Sequence, residues 1–148
     1  MCIRDRRHYN AYYGLGKVYE KLGNHTKAYA QYKLASAIHP TNAVLICCLG
    51  TILEKEKHFD QALHYFSKAT DLAPKAALTR FKKARALLAM GDLASAKREL
   101  MILKDLAPDF AEVHFILGKL YKRLQDRKQA VKHFTNALSL DPKVSSFS

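Results

Sequence analysis

The sequence lacks several features by which whole classes of protein are recognised. Its 148 residues contain no tryptophan and only three cysteines. Because two of these are the adjacent Cys47 and Cys48, the chain offers neither a disulfide framework nor zinc-ligand spacing. No apolar run approaches the ~18 residues of a membrane-spanning helix, yet 49% of the residues are hydrophobic, which is enough for a core. We therefore expect a folded chain outside the membrane, in a reducing compartment.

Prolines are also few, but their positions set a period. The four prolines are separated by 34 residues each: Pro40, Pro74, Pro108 and Pro142. Proline stops helices, so a strict proline period indicates a repeat architecture. Small and bulky columns share the period: Gly16, Gly50, Ala84 and Gly118; Ala28, Ala62, Ala96 and Ala130; Tyr32, Phe66, Leu100 and Phe134. We predict repeats over 9–42, 43–76, 77–110 and 111–144, with an artefactual non-repeat start at 1–8 and a tail at 145–148.

Within each copy, apolar residues at helical spacing form two stripes separated by a turn. The predicted helix pairs are 9–22 with 25–38, 43–56 with 59–72, 77–90 with 93–106, and 111–124 with 127–140. Asn24, Asp92 and Asp126 precede the second helices, where an N-cap oxygen is favoured. His58 interrupts that column, and Asp60 is the expected substitute cap. The sequence thus predicts an all-α protein made of four antiparallel helix pairs.

This pattern resembles the tetratricopeptide repeat. The first copy reads Tyr12-x-x-Leu15-Gly16-x-x-Tyr19, followed by Ala28, Tyr32, Ala35 and Pro40. The third copy departs most, with Arg80 and Lys83 at positions where the motif prefers an aromatic residue and a leucine. The resemblance implies a right-handed α-solenoid whose first helices line a concave groove.

Other stretches resemble the cell division cycle protein 27 family, the third subunit of the anaphase-promoting complex. They include residues that repeat packing does not dictate, and lie at positions 7–16, 42–48, 82–88, 99–108 and 113–122. The resemblance is to a carboxy-terminal portion of a longer protein. It implies a scaffold of a multisubunit ubiquitin ligase, in the nucleus and cytoplasm, whose partners are other subunits and the carboxy-terminal Ile-Arg tails of coactivators. That family self-associates through repeats that this chain lacks, so homodimerisation is not expected of it.

Signatures of catalysis are missing from the sequence. None of the seven histidines forms a His-Glu-x-x-His motif or lies at ligand spacing from a cysteine. His114 falls in the column of Tyr12, which predicts a packed helix residue. Gly14-Leu-Gly16-Lys17 lacks the remainder of a phosphate-binding loop. We expect no catalytic residue, no metal and no cofactor, and hence a protein that is not an enzyme.

Three columns of the first helices are expected to line the groove. The first holds Tyr13, Cys47, Phe81 and Phe115; the second holds Lys17, Thr51, Arg85 and Lys119; the third holds Glu20, Glu54, Leu88 and Lys122. Aromatic rings beside cations suit an apolar peptide side chain followed by a carboxylate. Our hypothesis is that Phe81, Arg85, Phe115 and Lys119 hold these two groups, while Glu20 or Glu54 binds the arginine of the same tail.

Three alternatives remain open at this stage. The groove aromatics could pack between neighbouring first helices, with the charges only hydrating the face. A generic peptide-binding adaptor or co-chaperone clamp is a second possibility, although the groove columns lack asparagine. The net charge of +12 is typical of a nucleic-acid-binding protein. Against RNA binding, the charge divides unevenly over 1–42, 43–76, 77–110 and 111–148 as +5, 0, +3 and +4, without a continuous basic stripe.

Overall fold

The computed structural model describes the backbone of residues 3–144 and the side chains of residues 8–144. Residues 3–144 form eight α-helices: α1 (Ile3–Lys21), α2 (His25–Ile38), α3 (Ala43–Lys55), α4 (Phe59–Leu72), α5 (Ala77–Ala89), α6 (Leu93–Leu106), α7 (Ala111–Arg123) and α8 (Arg127–Leu140). The predicted all-α fold of four helix pairs is confirmed. The largest difference in bounds is at α1, which begins at Ile3 rather than at residue 9.

The ends of the second helices follow from local sequence. Asn24, Asp92 and Asp126 each accept a hydrogen bond from the backbone N–H three residues later, at 3.2, 3.2 and 3.1 Å. The expectation for α4 was wrong: His58 is its N-cap and forms no capping hydrogen bond, while Asp60 lies inside the first turn. There its negative charge interacts favourably with the positive end of the helix dipole. All four second helices end two residues before a proline, because the residue before proline is pushed out of the helical region.

The chain divides into two compact units, Met1–Thr79 and Arg80–Ser148, called here the amino-terminal and carboxy-terminal units. In the amino-terminal unit α1 packs on α2, α3 on α4, and α2 on α3. Gly16 allows the contact between α1 and α2, because a Cβ at this position would lie only 2.5 Å from a ring carbon of Tyr32. The fully buried Tyr32 anchors a cluster with Ala28, Ala35 and Leu49. The small column therefore permits close approach of paired helices.

In the carboxy-terminal unit α7 packs on α8 and α6 on α7. The departure of repeat 3 from the motif has a structural counterpart in α5 and α6. Arg80 and Lys83 both form ion pairs with Glu99, at 2.6 and 2.9 Å, with all three side chains less than a fifth exposed. In repeat 3, these ion pairs replace the apolar packing of the aromatic residue and the leucine that the motif prefers.

His114 is a packed helix residue, as predicted. Its ring is 8% exposed and stacks on the buried His133 of α8, with centroids 5.7 Å apart. His114 Nε2 donates to the Pro108 carbonyl at 3.2 Å, and the Nδ1 atoms of His114 and His133 lie 3.4 Å apart. The Tyr121 ring also stacks on His133, with ring centroids 5.4 Å apart. Burial lowers the pKa of His133, and the neighbouring His114, Lys104 and Lys132 lower it further.

Candidate functional site

The structure distributes the predicted groove residues over both units. Those of α1 and α3 belong to the amino-terminal unit: Tyr13, Lys17, Glu20, Cys47, Thr51 and Glu54. Those of α5 and α7 belong to the carboxy-terminal unit: Phe81, Arg85, Leu88, Phe115, Lys119 and Lys122.

On α1, the aromatic residue of the first groove column is Tyr13, and it packs on neighbouring rings. Tyr13 stacks on Tyr9, with centroids 6.4 Å apart, and packs at a tilt on Tyr32 at 6.1 Å. The exposed Lys17 places its Nζ 5.6 Å from the Tyr13 centroid, within cation–π range. Tyr13 thus contributes to the packing of α1 on α2 while supporting a surface cation.

Glu20 has internal partners for both carboxylate oxygens. Tyr32 donates its hydroxyl to Oε1 at 2.7 Å, and Lys55 Nζ donates to Oε2 at 2.9 Å. Burial raises the pKa of the Glu20 carboxyl, but these hydrogen bonds and the charge of Lys55 outweigh it and hold the pKa below its ordinary value. The carboxylate therefore ties α1 to α2 and α3.

The α3 residues of the groove columns are mostly buried. Cys47 is 8% exposed and Thr51 is 9% exposed, and the Thr51 hydroxyl donates to the Cys47 carbonyl at 2.9 Å. Cys47 and Cys48 are both buried and are not joined by a disulfide. Glu54 is half-buried on the same helix. Little of this column is presented to solvent.

The carboxy-terminal unit contains a cavity of about 330 Å³ between α5 and α7. Its lining includes five predicted residues and five others: Phe81, Arg85, Leu88, Phe115 and Lys119, with Ala89, Glu112, Ile116, Arg123 and Val144. Phe81 packs on Phe110 at 5.2 Å and Phe115 on Phe134 at 5.6 Å. The phenyl rings thus serve the core and also form part of the cavity wall. We call this cavity the α5–α7 pocket.

Cations lie over the aromatic walls of the α5–α7 pocket. The Arg85 guanidinium carbon is 5.5 Å from the Phe81 centroid, and Lys119 Nζ is 4.8 Å from that of Phe115. Each cation lies one helical turn after its ring, so the two pairs repeat one arrangement on α5 and α7. The pocket therefore offers apolar walls next to two positive charges, the chemistry that an apolar group followed by an anion requires.

Sequence reasoning missed the other residues of the pocket. Glu112, Ile116 and Arg123 lie on the same face of α7 as Lys119, at spacings of three, four or seven residues, which helical periodicity could have found. The Arg123 guanidinium donates to the Leu88 carbonyl at 2.9 Å and so links α7 to α5. Val144 is fully buried against Ala111 and Ala137, a contact that periodicity does not predict because Val144 lies beyond α8. Lys122 was expected here but lines a different cavity.

Within the described residues, three or more metal-ligating side chains are nowhere grouped together. None of the helices described is long and apolar enough to span a membrane.

The repeat architecture is shared with a known family. Tetratricopeptide repeat patterns match residues 9–42, 53–124 and 111–144, which together cover most of the chain. The chain belongs to the tetratricopeptide repeat family. That membership confirms the prediction of a tetratricopeptide repeat module for protein binding.

Several curated tetratricopeptide repeat proteins are similar over most of this chain. The anaphase-promoting complex subunit 3 of Schizosaccharomyces pombe is 46% identical over 94% of this chain and 21% of its own length. Protein bimA of Emericella nidulans is 54% identical, with coverages of 97% and 18%. The cell division cycle protein 27 homolog A of Arabidopsis thaliana is 40% identical, with coverages of 73% and 15%. The chain therefore spans about a fifth of the length of these relatives.

Solved structures share the fold. MamA superposes with a TM-score of 0.84 at 22% identity, covering 93% of this chain and 81% of MamA; at that identity the likeness concerns the fold alone. YrrB, described as a tetratricopeptide repeat protein with an unusual peptide-binding site, superposes with a TM-score of 0.81 at 26% identity. The coverage is 90% of this chain and 69% of YrrB.

Proposed function

We propose that this chain is a peptide-binding scaffold module of an anaphase-promoting complex subunit, acting in cell-cycle ubiquitination in the nucleus and cytoplasm. Its ligand is the carboxy-terminal Ile-Arg tail of a coactivator, and neighbouring subunits are its other partners. The observation that carries the proposal is the α5–α7 pocket, where apolar walls and two cations adjoin. Similarity to the anaphase-promoting complex subunit 3 supports the biological setting.

Each part of the tail has a counterpart in the pocket. The isoleucine side chain is placed between Phe81 and Phe115, whose rings border the cavity. The terminal carboxylate is placed against Arg85 and Lys119, because an ionised acceptor strengthens the hydrogen bonds that these cations donate.

The arginine of the tail requires an acid. Glu20 has both oxygens engaged by Tyr32 and Lys55. Glu112 lines the α5–α7 pocket itself, and its side chain has no ion-pair partner among the described residues. The proposal therefore moves guanidinium binding from Glu20 or Glu54 to Glu112.

The test is a calorimetric titration with a synthetic peptide that ends in Ile-Arg and has a free carboxylate. Arg85→Glu and Lys119→Glu should each weaken binding about tenfold or more, because each replaces attraction to the carboxylate with repulsion. Lys17→Glu is the matched control: it reverses a cation that lies over a ring in the amino-terminal unit, and it should leave the affinity within about twofold. Unchanged affinity in both pocket variants would overturn the residue assignment.

A further inference from the structure

The turn that joins α7 to α8 carries four cations within seven residues: Lys122, Arg123, Arg127 and Lys128. In repeat 3 the corresponding positions hold Leu88, Ala89, Leu93 and Ala94, and in repeat 2 they hold Glu54, Lys55, Phe59 and Asp60. Repeat 1 holds Glu20, Lys21, His25 and Thr26 there, so no other repeat has more than one lysine or arginine at these positions, and the cluster of four is particular to repeat 4.

These cations are not neutralised inside the protein. Among the described residues, Lys122, Arg127 and Lys128 form no ion pair, and all are exposed. The one acid of the turn, Asp126, caps α8 by accepting the Gln129 N–H at 3.1 Å. The charge of the turn is thus directed to solvent.

Two of the cations also lie at an electrostatically unfavourable end of the helix that carries them. Arg127 and Lys128 lie in the first turn of α8, which contains no acidic residue. Positive side chains there face the positive end of the helix dipole and destabilise the helix by a few tenths of a kcal/mol each. Side chains that are unfavourable for folding and unpaired point to a role in binding.

The basic turn borders a concave surface. A cavity of about 570 Å³ is lined by Lys122, Gln125, Arg127 and Ala130, so cations from the end of α7 and the start of α8 face one cleft. We call it the α7–α8 cleft. It is a second site, distinct from the α5–α7 pocket in its lining residues.

We propose that the α7–α8 cleft docks an acidic segment of a partner protein, a stretch rich in aspartate and glutamate. Charge complementarity selects this occupant, because Lys122 and Arg127 line the cleft, Lys128 follows Arg127 in the chain, and the one acid of the turn is engaged as a helix cap. Such a cleft attracts a run of carboxylates. A protein segment is favoured over nucleic acid by the lining: among the described residues, none that lines the cleft is an aromatic residue on which a base would stack. The cations are also confined to one turn rather than following a stripe along the unit.

The test uses a short peptide of alternating glutamate and serine, blocked at both ends so that it has no terminal carboxylate for the α5–α7 pocket. The intact chain should bind it with an affinity that falls as salt is added. Arg127→Glu combined with Lys128→Glu should weaken binding about tenfold or more, as expected for reversing two exposed charges. The same double variant should be at least as stable to heat as the parent chain, because acids favour the first helical turn.

The control is Lys21→Glu combined with Lys75→Glu, which makes the same charge change at two exposed lysines of the amino-terminal unit. This variant should bind the blocked peptide within about twofold of the parent. Absence of binding to the parent, or equal losses in both double variants, would overturn the proposal. Tighter binding of random-sequence single-stranded RNA, lost in the Arg127 and Lys128 variant, would overturn it in favour of nucleic acid. Since the blocked peptide cannot present a terminal carboxylate, failure here is separable from failure of Ile-Arg tail binding.

Discussion

The two units use the same positions of the same repeat in different ways. In the amino-terminal unit the groove columns are occupied by internal contacts: Tyr13 packs on Tyr9 and Tyr32, and Glu20 binds Tyr32 and Lys55. In the carboxy-terminal unit the equivalent columns border a cavity with cations over its aromatic walls. Repeat register alone therefore does not decide which groove positions border a cavity. The packing around each position within its own unit decides it.

The largest expected effect distinguishes two members of the first groove column, Phe115 and Tyr13. Phe115→Ala should lower the affinity for an Ile-Arg peptide about 30-fold, which corresponds to ~2 kcal/mol for an aromatic anchor. Tyr13→Ala removes a ring that packs on Tyr9 and Tyr32 and should change the affinity less than about twofold. Fluorescence anisotropy with a labelled peptide measures both, and circular dichroism checks that each variant is folded. Equal losses in the two variants would mean that the units do not differ in the proposed way.

A packing constraint that both units share should give the next effect. Gly16→Ala and Gly118→Ala should each lower the free energy of unfolding by ~1–3 kcal/mol, because the added Cβ would lie 2.5 Å from Tyr32 and 2.7 Å from Phe134. Gly14 is the control on α1, since nothing lies within 4 Å of a Cβ there. Gly14→Ala should instead gain up to about 1 kcal/mol from helix propensity. Urea unfolding measures these changes, and a stabilising Gly16→Ala would contradict the close approach of α1 and α2.

Much of this architecture was predictable from the sequence. The spacing of Pro40, Pro74, Pro108 and Pro142 predicted all four second-helix ends, because proline acts locally on the residue before it. The failed cap at Asp60 shows the limit of such reasoning: a shift of two residues places the carboxylate inside the helix instead of at its start.

The site was less predictable. Arg85 and Lys119 were found because they lie one turn after an aromatic residue on the same helix. The engagement of Glu20 by Lys55 depends on a contact across 35 residues, and the burial of Val144 depends on where the chain runs after α8. Single-helix periodicity contains neither kind of information, so it could not tell an occupied groove position from an available one.

Glu20 should affect stability and leave binding unchanged. Glu20→Gln weakens two hydrogen bonds to the carboxylate, and we expect a loss of ~1 kcal/mol in the free energy of unfolding, since the pair is partly exposed. The affinity for the Ile-Arg peptide should stay within about twofold. Urea unfolding and calorimetry on one preparation test both statements. A loss of affinity at unchanged stability would return Glu20 to the role of binding the peptide arginine.

The smallest effect is a pH dependence located in the carboxy-terminal unit. Burial and the neighbouring His114, Lys104 and Lys132 lower the pKa of His133 in the folded state, while the unfolded chain has the ordinary value of ~6.5. The unfolded state therefore binds the proton more readily, so the contribution of His133 to stability is present above pH ~6.5 and is lost as pH falls through the lowered folded pKa. Thermal unfolding between pH 7.5 and 5 should show this decline, and His133→Leu should reduce it. A decline of the same size in His133→Leu would assign the pH dependence to other groups.

The proposed binding of a chain terminus is tested by comparing two peptides that differ only in their C-terminal group. One is an Ile-Arg tail with a free carboxylate, and the other is the same tail with a C-terminal amide. The account predicts that the parent chain binds the free acid about tenfold or more tightly than the amide. It also predicts that this preference is retained in Lys17→Gln and disappears when Arg85→Gln and Lys119→Gln are combined. Equal affinity of the parent chain for acid and amide would contradict the central claim that the α5–α7 pocket binds a chain terminus.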